Sequence, residues 1–239
     1  MQLQGRLAFW LSSPILLLQG RSVRRRAPRF PGAEGPDRGR FGERGQTLRL
    51  LGLGDSIVAG VGAPTLSVSM VGTAARLASE RFEARVAWQS RGEIGARAKQ
   101  VREIAEKVGI EAEPDFVVLS VGVNDVTGAA RTAAWQRDLE ALLRTLRARF
   151  PAATIVFAGL PPLGGFPLLP NPLRTLLGWR ARWFDEVARR KIEETSNAVF
   201  VPITFETTRS AFSEDGFHPS EASHLVFGQT IAEGLPSRR

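Results

Sequence analysis

From Thr47 onward the chain alternates short apolar runs with longer segments in which apolar residues recur every three or four positions. The runs at residues 48–53, 85–88, 116–121, 154–158 and 198–201 are rich in Val, Leu and Ile and predict five strands. Between them, Ala98, Val101, Ile104, Ala105 and Val108 form one helical stripe, and Trp135, Leu139, Leu142, Leu143 and Leu146 form a second. Trp183, Phe184, Val187 and Ala188 make a third. The last helix is expected to begin at Pro219, a favoured first-turn residue, and to carry Ala222, Leu225 and Val226 inward.

Such alternation predicts an α/β fold of three layers, α/β/α, because each crossover between parallel strands must pass over a face of the sheet. Five strands suggest a flavodoxin-like parallel sheet with the order 2-1-3-4-5 in chain numbering. Ligands in such sheets bind beyond the carboxyl ends of the strands, near the switch point between the first and third. Polar residues that directly follow a strand are therefore the ones to inspect.

Charge divides the chain into two parts. Residues 1–45 hold nine Arg against three acids, which is +6 of the net +8, and the rest is nearly balanced. With no nucleic-acid module signature after it, this basic arm argues against a nucleic-acid partner. The arm also contains an apolar stretch at residues 8–18, whose eleven residues make about 17 Å as a helix against a bilayer core of about 30 Å. Arg24, Arg25 and Arg26 follow, without the small-residue cleavage site of an export signal. The expectation is an uncleaved short helix, tucked on the domain or lying at an anionic membrane surface, in a cytoplasmic or membrane-associated protein. Residues 27–45, rich in Gly, Pro and Arg, read as an irregular connection, and residues 46–239 as one catalytic domain. The absence of cysteine excludes disulfides and thiolate metal sites, and two histidines are too few for a histidine-rich metal site, so no metal or cofactor is expected.

Three strand ends carry candidate chemistry. After the first run comes Gly54-Asp55-Ser56, with Gly60 and Gly62 beyond it. Counted from Gly52, the sixth position of a dinucleotide fingerprint is Ile57, and no Gly-Lys-Ser/Thr is present, so both phosphate-loop readings fail. By itself the tripeptide fits an exposed serine nucleophile or a strand-ending turn. After the third run comes Gly122-Val123-Asn124-Asp125, where the Asn amide could donate to an oxyanion or serve the turn. After the fifth comes Asp215-Gly216-Phe217-His218-Pro219, in which a carboxylate three residues before an imidazole can hold one ring nitrogen while the other accepts a proton. Glu221 and His224 repeat the spacing inside the predicted helix. There the pair would point along the helix surface, so His218 is the expected base and His224 a partly exposed helix residue.

In their order along the chain, Gly-Asp-Ser, Gly-x-Asn-Asp and Asp-x-x-His resemble blocks I, III and V of the SGNH (GDSL-like) hydrolase superfamily, over about residues 47–234. The resemblance implies a serine esterase or lipase in which Ser56 is the nucleophile, His218 its base and Asp215 the orienting acid. It also implies an oxyanion hole formed by the backbone amide of Ser56, the Asn124 side chain and a block II glycine. The best match for that glycine is Gly95, although Ile94 and Arg97 depart from the usual block II residues. Arg97 could alternatively attract an anionic substrate group. The segment at residues 159–172, with Leu160, Leu163, Phe166, Leu168 and Leu169, reads either as a packed loop or as an apolar wall for an acyl chain. The expected substrate is a small-molecule or lipid-like carboxylic ester with a short or medium acyl chain. The alternatives are an acyltransferase on the same scaffold, or a flavodoxin-like binding domain without chemistry.

Overall fold

A computed structural model describes Gln19, residues 30–128 and residues 130–237. The apolar stretch at residues 8–18 lies outside the described residues. Among those described, no helix is long and apolar enough to cross a membrane.

Strands β2 (Thr47–Gly54), β4 (Phe116–Ser120) and β5 (Thr154–Ala158) form the centre of the sheet. β4 and β5 are buried at every position, as expected of parallel strands covered on both faces. β3 (Arg85–Gly92) lies on one side of this centre and β6 (Ala198–Val201) on the other. A sixth strand, β1 (Arg38–Phe41), pairs antiparallel with β3 at the edge. The sheet therefore has six mostly parallel strands in the order β1-β3-β2-β4-β5-β6, which corrects the expected five-stranded order 2-1-3-4-5. β1 is polar and largely exposed, Arg-Gly-Arg-Phe, and falls in the stretch expected to be irregular. Its only signature is alternation over four residues, too short to separate from a loop.

Helices α1 (Met70–Arg81) and α6 (Glu221–Gly234) cover one face of the sheet. Helices α2 (Ala98–Lys107), α4 (Thr132–Arg149) and α5 (Leu173–Glu193) cover the other, and the short α3 (Val123–Thr127) follows β4. All five apolar residues of the α4 stripe are buried. Trp135, fully enclosed, stacks on Phe184 at 5.5 Å and donates its indole N–H to the Phe184 carbonyl at 3.0 Å. Truncating such a ring typically costs about 3–5 kcal/mol.

The expectation for α6 is wrong by about a quarter turn. Its cap is Ser220, whose hydroxyl accepts from the Ser223 N–H, and the helix starts at Glu221. Leu225 and Val226 are 42% and 45% exposed, while Ser223, His224, Phe227, Gly228 and Ile231 face inward. The cause is close packing on α1. A Cβ at Gly228 would lie 2.5 Å from the Thr73 side chain and 2.9 Å from the Met70 carbonyl oxygen. Small residues thus make this contact, and hydrophobicity alone selects the wrong face.

Candidate active site

Ser56 is lifted off the carboxyl end of β2 by a turn tied to its surroundings through the backbone. The Asp55 N–H donates to the Ser120 carbonyl on β4 at 3.2 Å, and the Val61 N–H donates to the Ser56 carbonyl at 2.9 Å. Gly54 is needed here, since a Cβ would stand 2.1 Å from the Ser120 oxygen. The far end of the turn closes against the histidine segment. At Gly62, with φ of +98°, a Cβ would sit 1.9 Å from the Pro219 carbonyl oxygen. Glycine at that point lets two segments far apart in sequence meet at one rim of the sheet.

The histidine segment is a turn organised by its own acid. Asp215 Oδ1 accepts the backbone N–H groups of Phe217 and His218, both at 2.9 Å, and Oδ2 meets His218 Nδ1 at 2.6 Å. Burial by itself would raise the Asp215 pKa, but the hydrogen bonds from the His218 ring and these two amides outweigh it and hold the carboxyl below its ordinary value. With Nδ1 donating to a carboxylate, Nε2 is left as the proton acceptor. Ser56, 8% exposed, and His218, whose side chain is 18% exposed, line one cavity with Pro161, Phe166, Phe205 and Phe212. They form no hydrogen bond to each other here. Such contacts are often long without substrate and tighten in the complex.

Asn124, in the first turn of α3, is held beside the loop before α2. Its amide nitrogen donates to the Ala96 carbonyl at 3.0 Å and makes a longer contact of 3.4 Å to Asp55 Oδ2. Gly95 precedes Ala96 with φ of +84°, and the space where a Cβ would stand is open. The Asn124 amide is thus brought to the Gly95 loop, with its stronger bond directed at that loop. Arg97 sits elsewhere. Its guanidinium lies against Gly128, and Arg97 is not among the residues lining the cavity.

The segment at residues 159–172 combines both of its expected characters. Leu160, Leu163 and Leu169 are buried in the core, while Pro161 and Phe166 face the cavity. The Leu168 N–H donates to the Gly216 carbonyl at 3.0 Å, tying this segment to the turn that carries His218.

A match to the GDSL-like Lipase/Acylhydrolase family model runs over residues 53–226, from the end of β2 into α6. The chain belongs to this family. Membership makes the GDSL-like protein a hydrolase acting on esters. Its fold is similar to that of several solved enzymes of low sequence identity. A lipase from a goat-rumen metagenome is 15% identical, with a TM-score of 0.64 over 80% of this chain and 99% of that one. An acetylxylan esterase from Geobacillus stearothermophilus is 20% identical, with a TM-score of 0.57 over 80% and 95% of the two chains. A psychrotrophic esterase from Pseudoalteromonas is 16% identical, with a TM-score of 0.55 over 78% and 95%. No curated protein sequence matches the chain.

Within this GDSL-like frame, three polar residues hold positions that their sequence context did not announce. Asp55 is 1% exposed, and burial pushes its pKa up to about 7, offset in part by the Ile57 N–H at 3.1 Å. Asp125 is pushed up to about 6, also by burial, and accepts the Ala98 N–H at the start of α2 at 3.2 Å. His224 is fully buried, not partly exposed as expected. Its Nδ1 accepts the Met70 N–H at 3.2 Å and its Nε2 donates to the Val61 carbonyl at 2.9 Å. Val61 is also the residue whose N–H holds the Ser56 carbonyl, so His224 braces the serine turn from behind.

Proposed function

We propose that the protein hydrolyses a carboxylic ester of short acyl chain through Ser56, His218 and Asp215, with an acyl-enzyme intermediate. His218 Nε2 takes the Ser56 proton as the hydroxyl oxygen attacks the carbonyl carbon. The tetrahedral oxyanion is received by the N–H groups of Ser56 and Gly95 and by the Asn124 amide, which exchanges its 3.4 Å contact with Asp55 for the oxyanion. His218 returns the proton to the departing alkoxide, and a water activated the same way then releases the acid.

The observation that carries this reading is the 2.6 Å His218–Asp215 hydrogen bond in a turn whose imidazole shares a cavity with Ser56. The size of that cavity supports the short chain. Its volume is about 20 Å³, enough for roughly one water molecule or a methyl group, and its wall includes five phenylalanines. A panel of p-nitrophenyl esters from acetate to octanoate tests the proposal on wild type and Ser56→Ala. Turnover is expected to be highest with acetate, to fall steeply with chain length, and to vanish in Ser56→Ala. Activity surviving in Ser56→Ala would remove the nucleophile, and a preference for octanoate would remove the short-chain assignment.

A further inference from the structure

A second cavity, of about 460 Å³, lies on the sheet away from the catalytic rim. It opens on the face of β1, β3 and β2 that α2 leaves uncovered, since along β3 Val86, Trp88 and Ser90 are buried while Ala87 and Gln89 on the other face are only half-buried. The register makes this face basic. Arg40 on β1 and Arg49 on β2 both pair with Ala87 of β3, so two guanidinium groups flank one small residue in a single row. Adjacent strands are about 4.8 Å apart, so their backbones stand about 10 Å from each other across the Ala87 floor. The next row holds Arg38, Gln89 and Leu51.

Arg38 is engaged by Asp37 and by Glu111 at 3.1 Å. Arg40 and Arg49 form no side-chain ion pair among the described residues, and the Asp115 carboxylate beside Arg49 accepts its backbone N–H at 2.6 Å. Arg40 and Arg49 stand on either side of β3, so an anion seated over Ala87 lies between the two guanidinium groups. The wall opposite carries the apolar residues Ile110, Ala112 and Pro114 together with Glu111, whose carboxylate is engaged by Arg38. The volume is in the range of small-molecule sites, about 300–1,000 Å³.

We propose that this basin binds the phosphate group of an acidic phospholipid, with Arg40 and Arg49 on the phosphate oxygens and the Ile110–Ala112–Pro114 wall against the first part of the acyl chain. It lies toward the amino ends of β2 and β3, whereas the catalytic groups follow their carboxyl ends, so lipid can be held without blocking Ser56.

The test is calorimetric titration of the full chain with monomeric dihexanoyl phosphatidic acid, in Ser56→Ala so that the probe is not hydrolysed. Binding is expected, and Arg40→Gln with Arg49→Gln should weaken it about 30-fold, the effect of two charges each contributing about as much as a basic residue at an acidic lipid surface. Arg40→Lys with Arg49→Lys should retain most of it, which separates lost charge from lost fold. Dihexanoyl phosphatidylcholine and inorganic phosphate should both bind at least about tenfold more weakly, the first lacking net charge and the second an apolar part. Absence of phosphatidic acid binding, or binding indifferent to the Gln pair, would overturn the proposal. Equal affinity for inorganic phosphate would leave an anion site and refute the lipid assignment.

Discussion

His218 and His224 stand six residues apart, each three residues after an acid, and their surroundings give them opposite characters. His218 sits in a turn where Asp215 folds back on the backbone, so one ring nitrogen is held and the other faces a cavity shared with Ser56. His224 is inside a helix, where Glu221 is exposed and the imidazole is buried between α1 and the serine turn. Both its nitrogens are occupied by backbone groups, and burial pushes its pKa down to about 4. One histidine keeps a ring nitrogen at the cavity and the other is fixed as a neutral crosslink. Identical spacing therefore carries no chemistry until the backbone around it is known.

The largest effect that tests this contrast is on turnover. His218→Ala should lower kcat by about 10⁴ or more, as removal of a triad base does, while the fold is retained because Asp215 keeps its two backbone N–H donors. His224→Ala should do the reverse, leaving measurable hydrolysis while destabilising the protein by about 1–3 kcal/mol, because the Met70 and Val61 groups lose their partner. Steady-state kinetics and thermal melts on both variants distinguish them. Next in size is Asn124→Ala, expected to lower kcat by about 10² to 10³ with little change in KM, the signature of one lost oxyanion donor. An unchanged kcat would take Asn124 out of the mechanism.

The smallest predicted effect is on the pH dependence of stability, and it has two parts of opposite sign. His224 is depressed from 6.5 to about 4, so the unfolded chain binds the proton more readily between those values. Its contribution is present above about 6.5 and is lost as pH falls toward 4, a change on the order of 2–3 kcal/mol. Asp55 is raised from 3.8 to about 7, so its contribution is present at low pH and is lost as pH rises through 7. Asp125, raised to about 6, opposes the acid-side loss in the same sense, so in Asp55→Asn one of the two opposing acids is removed and the loss of stability from pH 7 to pH 5 should exceed that of wild type. An equal difference in the two proteins would contradict the assigned burial of Asp55.

What could be read from the sequence follows the strength of the local signal. β2, β4 and β5 are dense in Val, Leu and Ile, and α4 repeats large apolar residues at helical spacing, so both announce themselves. The block motifs carry the ends of those strands with them, which is why Ser56, Asn124 and His218 could be singled out. α1 was not foreseen, because its buried face is largely Ala, Gly, Ser and Thr, which give almost no hydrophobic contrast. The same small residues admit α6 closely, and they turn its His224 face inward against the apolar pull of Leu225 and Val226. Asp55 and Asp125 read as turn residues because burial is a property of the assembled strand ends. The edge strand β1 depends on pairing with β3, a contact no local pattern encodes.

His218, and not its neighbour in α6, is the residue proposed to activate Ser56. Brief exposure of the intact protein to a fluorophosphonate, followed by peptide mass analysis, measures that activation directly. A single adduct on Ser56 is expected in wild type and in folded His224→Ala, and essentially none in His218→Ala. Labelling of Ser56 at the wild-type rate in His218→Ala would contradict that role.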